Sequence, residues 1–544
     1  MRSRRMRPVE WSTSYLLRLP AGISTNTSNF MGSTATPSKT AIACVHCSVP
    51  GGGLTPQTPS PARGVPKELD LLTYPRGVTS RIFAIRTAWF GGALVPTVAM
   101  ACVIALAPAA PALVVAAPSI PPVGASAVLS PVAVEGTTAP PASPAAVTAA
   151  VAPVLNAGSW EAVSAVVIDP SDGSLLYESG SIARTPASTL KIPTALTALT
   201  VLGPDTRLRT RVVLNGSTVV IIGAGDATLG RAKGFIDGAP TASLNQLAEL
   251  TAKALDKQGV SSVHVAFDDS YFTGPTLSPE WNSVLVSSGA IAPVTALSAD
   301  QGRESATSDT SVSDPAASAA RYFAAQLRDA GIDVARGVQR VAAPADAPEI
   351  AHVMSPTIAE ITDYTLTESD NDVAEALAHL AGGKLVGEAS FAGGARAMKQ
   401  VLEAYGIPTE GMKISDGSGL SRSDRMQAIT LARTLEVIVT GHAPEGLDVP
   451  SAVGWAVSVG LPVAGFTGTL ANRFDTTATR AGRGVVRAKT GTLTGISALA
   501  GQSRDRDGRL LVFAALASGI PDTDAARSDL DEFAAAVAAC GCRS

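Results

Sequence analysis

From residue 160 onward the chain places its apolar residues with two distinct periods. EAVSAVVIDPSDGSLLYESGS alternates on either side of DPSDG, which predicts two β-strands joined by a tight turn. TPASTLKIPTALTALTVLG then changes to helical spacing, with the helix predicted to begin near Ser188. Pro193 falls at or just past the first turn, where its missing N–H would be largely unpaired anyway. Between Thr206 and about Ser355, RLRTRVVLNGSTVVIIGAGDATL alternates like paired strands and SLNQLAELTAKALDKQG has helical spacing. SSVHVAFDDSYF predicts a further strand, and DPAASAARYFAAQLRDAGI a helix with a glycine stop. Residues 356–383 are predicted helical on both sides of Ser369-Asp370-Asn371. VVRAKTGTLTGISALAGQSRDRDGRLLVFAALAS predicts three antiparallel strands, and TDAARSDLDEFAAAVAA a last helix. The sum is an α+β domain of five antiparallel strands flanked by helices, built from 159–205 and 356–544, with an αβ accessory domain inserted at 206–355.

The N-terminal third has a different character. Residues 109–158 are rich in Ala, Pro, Val and Ser, a composition expected to form an extended, semi-stiff linker. Residues 88–108, AWFGGALVPTVAMACVIALAP, carry no charge and are long enough to cross a bilayer or to serve as the apolar part of a secretory signal. Residues 1–87 are rich in Ser, Thr, Pro and Gly, lack apolar periodicity, and are expected to be a disordered leader.

Charge sharpens that division. Of the 544 residues, 1–87 hold 11 Lys and Arg against 3 Asp and Glu, while the remainder holds 31 against 43. A basic leader ahead of an acidic body is the asymmetry of an exported protein, either anchored in the membrane or secreted. Five cysteines and five histidines do not assemble into a metal site: Cys44, His46 and Cys47 lack a fourth ligand nearby, and His264, His352, His379 and His442 have no partner spacing. Cys540 and Cys542 could oxidise outside the cytoplasm, although a C-x-C ring would be strained. No cofactor, metal or nucleic-acid partner is implied.

Three short motifs carry the candidate chemistry. A serine hydroxyl is a poor nucleophile near neutral pH and needs an adjacent base. Ser188 and Lys191, at i and i+3, share a helix face, and burial would lower the lysine toward its neutral amine. Taken alone, S-x-x-K is an ordinary surface pair, Ser369-Asp370-Asn371 an ordinary helix cap, and Lys489-Thr490-Gly491-Thr492 an ordinary strand. Their chain order and their places, at a helix start, an interhelical turn and a strand, are what change the reading.

With GAGDATL at 223–229, FDDSYFTGP at 267–275, DGSGLSR at 416–422 and GTLANRF at 468–474, the chain from about Trp160 resembles the class C low-molecular-mass penicillin-binding proteins. This is the D-Ala-D-Ala carboxypeptidase/endopeptidase family related to penicillin-binding protein 4. The resemblance implies the penicillin-binding/β-lactamase-like transpeptidase fold. It also implies accessory domains in the 181-residue interval between Ser188 and Ser369, of which a second one is missing or vestigial here. By that resemblance Ser188 is acylated by the penultimate D-Ala carbonyl of a peptidoglycan stem peptide and Lys191 takes its proton. Ser369 bridges Lys191 and Lys489, and Asn371 holds the substrate amide and orients Lys191. Thr490, Gly491 and Thr492 belong to the carboxylate-binding strand, with the N–H groups of Ser188 and Thr492 as oxyanion hole. β-Lactams would react with the same serine.

Two alternatives stay open on the sequence. A β-lactamase would need fast deacylation, which class A enzymes obtain from a Glu after the second motif; no E-x-x-x-N lies between Asp372 and Arg487. A non-catalytic β-lactam-sensing or wall-binding protein would keep the pocket without turnover. Asp416 and Ser418 read as shaping a turn beside the site.

Overall fold

The structure is a computed structural model, and it describes residues 139–541 except 235, 237, 238, 240, 241 and 444–446. The expected leader at 1–87 and apolar segment at 88–108 lie outside the described residues. So do Cys44, Cys47, Cys102 and Cys542. Cys540 is disulfide-bonded. Among the described residues no helix is long and apolar enough to cross a membrane.

The chain opens with α1 (Pro144–Ala157), followed by the hairpin β1 (Ala162–Asp169) and β2 (Ser174–Ser179). A single 3-10 turn, Ala187–Leu190, leads into α2 (Lys191–Leu202). The inserted stretch holds β3 (Arg207–Asn215), β4 (Thr218–Ile222), α3 (Leu244–Lys257), β5 (Ser262–Asp268), α4 (Val284–Ser287) and α5 (Pro315–Asp329). It ends in β6 (Asp333–Val334), β7 (Gln339–Arg340) and β8 (Glu349–Thr357). Five helices follow: α6 (Ile358–Glu368), α7 (Asn371–Val386), α8 (Phe391–Ala404), α9 (Ala428–Thr440) and α10 (Ser451–Gly460). The strands β9 (Arg487–Leu493), β10 (Ile496–Arg504) and β11 (Leu510–Ser518) and the helix α11 (Thr523–Ala539) complete the chain.

The five-stranded antiparallel sheet runs β2-β1-β11-β10-β9, so the first hairpin and the last three strands, more than 300 residues apart in sequence, form one surface. Period-two patterning gives that sheet two apolar faces. Val166, Ile168, Ala498, Ala500, Val512 and Ala514 point into a core shared with α2, α6, α7, α8 and α9. Ala165, Val167, Leu499, Leu511, Phe513 and Ala515 point the other way, onto Leu530, Phe533 and Val537 of α11. The inserted stretch has its own sheet, β6-β5-β4-β3-β8 with β7 also on β5, and its own core against α3 and α5. This is the expected α+β architecture, with the second sheet contributed by the insert.

One expectation is corrected. Residues 144–157 are a helix rather than part of an extended linker. Pro144 occupies the first helical turn, where proline is compatible with the helix. Val147, Val151 and Leu155, spaced four apart, are buried in the core shared with α11. Prolines had suggested a spacer, but two of them, Pro144 and Pro153, sit within a helix whose apolar stripe decides its fate.

Candidate active site

The candidate nucleophile, Ser188, sits in an irregular stretch of backbone. Ala187 has φ 48°, an unfavourable angle for a residue with a Cβ, and Ser188 follows it in the 3-10 turn. Two glycines hold the turn in place by close approach. A Cβ on Gly419 would lie 2.0 Å from the Ala187 carbonyl oxygen, and one on Gly491 would lie 2.7 Å from that of Pro186. Gly419 belongs to the DGSGLSR loop and Gly491 to β9, so both distant segments pack directly on the turn that carries Ser188.

Lys191 is the first residue of α2 and is fully buried. Its Nζ donates to Ser188 Oγ at 3.1 Å, to Asn371 Oδ1 at 2.7 Å and to the Ser418 carbonyl at 2.7 Å. Burial pulls the amine down to about 8; the negative charges of Glu375, Asp416, Asp370 and Asp372 oppose that shift. Three acceptors match the three donors of an ammonium. A neutral amine has two N–H groups and one lone pair. With Asn371 Oδ1 and the Ser418 carbonyl taking the two N–H groups, the lone pair is left for the Ser188 hydroxyl.

Asn371 begins α7, and its side-chain NH2 donates to the Ala290 carbonyl at 2.8 Å. Asp370 caps the same helix by accepting from Val373 N at 3.0 Å. Ser369 is the left-handed cap of α6, φ 60°, and is half-buried. Lys191 spends its bonds on Ser188, Asn371 and Ser418, and Lys489 donates to the Thr490 carbonyl at 3.1 Å, so among the described residues Ser369 bonds to neither lysine.

Lys489 is fully buried on β9, and its amine is lowered first by burial and then by the charges of Lys191 and Arg473. Thr490 and Thr492 are half-buried neighbours on the same strand. Thr490 Oγ1 is held by Thr469 at 3.1 Å, and Arg473 forms a two-pronged pair with Asp531 at 2.9 and 2.7 Å. The GTLANRF stretch therefore supports the strand that carries Lys489. The structure thus brings Ser188, Lys191, Asn371 and Gly491 into one constellation, with Ser369, Lys489, Thr490 and Thr492 adjoining them in chain.

Sequence reasoning missed three participants. The Ser418 carbonyl contributes through backbone, which no side-chain motif reveals. Glu375, fully buried on α7, accepts from Gly417 N at 3.0 and 2.9 Å and from Ser418 N at 2.8 Å, and so aims that carbonyl at Lys191. The third is Ala290, again a backbone group. Asp416 accepts from Gly419 N, Ser421 N and Trp281 Nε1 at 2.8, 2.7 and 2.7 Å, so it does shape the turn. His379 is a core histidine whose Nδ1 lies 2.8 Å from the Glu375 carbonyl, with its ring against Phe272 and Phe391.

Known proteins resemble this chain in sequence and in fold. The carboxypeptidase DacB of Mycolicibacterium smegmatis is 35% identical over 387 residues, covering 69% of this chain and 80% of that protein. A D-alanyl-D-alanine carboxypeptidase of Actinomadura sp. is 36% identical over 207 residues, 37% of this chain and 36% of its own. In fold, the chain is similar to penicillin-binding protein 4 (dacB) of Haemophilus influenzae, with a TM-score of 0.58 at 20% identity, covering 72% of this chain and 97% of that one. The D-Ala-D-Ala carboxypeptidase 3 (S13) family matches residues 147–311 and 304–538, its start inside α1 again placing that helix with the folded body. Both sides of the insert and the insert itself fall within that match, and the chain belongs to this family of serine peptidases.

Proposed function

We propose that the protein is a serine D-Ala-D-Ala carboxypeptidase that trims peptidoglycan stem peptides outside the cytoplasmic membrane, with Ser188 as the nucleophile. The observation that carries this reading is the buried Lys191 amine, set 3.1 Å from Ser188 Oγ and fixed by two acceptors that leave its lone pair for the hydroxyl proton. In acylation, Ser188 Oγ attacks the penultimate D-Ala carbonyl carbon while Lys191 takes the hydroxyl proton. The oxyanion forms against the N–H groups of Ser188 and Thr492, where one donor is worth roughly 3 kcal/mol. The C–N bond then breaks, the leaving D-Ala nitrogen gains the proton that Lys191 took, and a Ser188 ester remains. Water hydrolyses that ester and restores the serine. Lys489, with Thr490 and Thr492, supplies positive potential and hydroxyl donors for the terminal carboxylate.

A β-lactam presents an equivalent carbonyl, strained by its four-membered ring, and a carboxylate, so it would acylate Ser188 and leave slowly. The chemistry also places the substrate in the wall, in keeping with a basic leader and an apolar segment at 88–108 acting as signal or anchor. Release of D-Ala from a muropeptide pentapeptide, followed by mass spectrometry, tests the proposal. Release by the wild type and none by Ser188→Ala is the expected result; equal release by both would refute it.

A further inference from the structure

The inserted stretch does more than fill the interval between Ser188 and Ser369. Three consecutive residues at the head of α7 are each gripped by one segment of it. Asp370 accepts from the Gln301 side-chain NH2. Asn371 donates to the Ala290 carbonyl at 2.8 Å. Asp372 accepts from Ala292 N at 2.8 Å and pairs with Arg303 at 2.9 Å. Arg303 is itself 3% exposed and donates to the carbonyls of Gln301 and Gly289 at 2.6 and 2.9 Å, so it ties the two ends of the segment together.

The segment is held at a cost. Asp300, Gln301 and Gly302 run consecutively through the left-handed region, with φ 51°, 55° and 68°. For the two non-glycine residues such angles cost on the order of 1–3 kcal/mol each, and they persist only where the surroundings enforce them. Arg303 Nε is also buried without a partner. Strain and an unsatisfied donor meet at one spot, directly behind the residue that bonds to Lys191.

An asparagine amide has a donor end and an acceptor end. The Ala290 carbonyl can accept only from the NH2 end, so it decides which end Lys191 meets. Were the amide reversed, its NH2 would face the lysine, and the amine would lose one of the two acceptors that direct its lone pair to Ser188. We propose that residues Gly289–Arg303 form a positioning strap that fixes the Asn371 amide with its oxygen toward Lys191, making Arg303 and Gln301 positioning residues for acylation. The inference rests on the proposed role of Ser188 and Lys191. Neither Arg303 nor Gln301 needs to touch substrate. Both ends of the Asn371 amide are engaged within the protein, by Lys191 and by Ala290, so the strap acts on the chemical step rather than on the substrate-amide contact that the family resemblance gives Asn371.

Acylation by a fluorescent penicillin separates those two effects, because its concentration dependence yields a dissociation constant for the initial complex and a rate constant for ester formation. Arg303→Met should lower the rate constant by roughly tenfold or more, since small displacements of a catalytic group are costly, and should leave the dissociation constant unchanged. Arg303→Lys keeps the ion pair with Asp372 and should recover part of the loss. Arg209→Met breaks an exposed ion pair on the insert's own sheet, with Glu349, and should change neither constant. If Arg303→Met is unfolded by circular dichroism, the test passes to Gln301→Met, which leaves the ion pair in place and is judged by the same rule. An unchanged rate constant in the folded variant, or a loss confined to the dissociation constant, overturns the strap. A wild-type protein that fails to acylate at all would instead overturn the proposed function.

Discussion

Acylation of Ser188 should depend steeply on pH, because its proposed base, Lys191, is held near its titration point. Burial brings the Lys191 amine from 10.5 to about 8. That difference disfavours the ammonium in the folded site by about 3 kcal/mol. At pH 7 roughly one amine in ten is then neutral, against roughly one in three thousand for an ordinary lysine, an enrichment of about 300-fold. The sign follows from the depressed value: the amine is charged below pH 8 and cannot accept the serine proton. The acylation rate constant should therefore rise about tenfold per pH unit from pH 5.5 to 7 and level off above 8. The same depression opposes folding at neutral pH, and this penalty fades as pH climbs from 8 to 10.5, where the unfolded chain binds more protons than the folded one. Stopped-flow measurement with a fluorescent penicillin from pH 5.5 to 9 reads the limb directly. A rate constant that stays flat between pH 6 and 8, or a limb centred above 10, would refute the assignment of Lys191 as the base. Lys191→Arg retains the charge but cannot deprotonate. It should lose roughly 100- to 10,000-fold in rate together with the limb.

Other perturbations test the surroundings of the site. Glu375→Ala strips the acceptor from the buried N–H groups of Gly417 and Ser418; at about 1–3 kcal/mol for each group, urea denaturation should show a loss of about 2–6 kcal/mol. Gly419→Ala would drive a methyl to 2.0 Å from the Ala187 carbonyl at φ 83°, so penicillin labelling in a gel assay should fall sharply even where the protein stays folded. Leu155→Ala in α1 should cost about 2–5 kcal/mol in chemical denaturation if the helix belongs to the core, and a loss below 0.5 kcal/mol, roughly the value for an exposed surface site, would return it to the status of a spacer.

The legible part of this fold is the part written in side-chain periodicity. Val166 and Ile168 alternate with Ala165 and Val167, and that alternation alone predicts a strand buried on both faces. The three motifs were legible for a related reason: each needs particular side chains at fixed spacing, and Ser188 with Lys191 meets at 3.1 Å as helical geometry requires. What stayed hidden was contributed by backbone. The Ser418 and Ala290 carbonyls could belong to any residue type, and only the folded chain shows where they point. Glu375 was hidden differently. It lies about one turn into an unremarkable helix, and its partners are N–H groups more than 40 residues away. In α1, prolines masked a stripe of Val147, Val151 and Leu155 that was readable at four-residue spacing.

Burying two lysines, Lys191 and Lys489, is unfavourable through lost hydration, and for Lys489 also through repulsion from Lys191. The arrangement is nevertheless consistent, because the two amines face different company. Lys191 has Glu375, Asp416, Asp370 and Asp372 around it, charges that resist its deprotonation, so burial lowers it only as far as the working range of a base. Lys489 has Lys191 and Arg473 as its leading neighbours, with Glu368 opposing them, so burial and like charge both push its amine toward the neutral form. An arriving carboxylate is the missing counter-charge and should restore the ammonium.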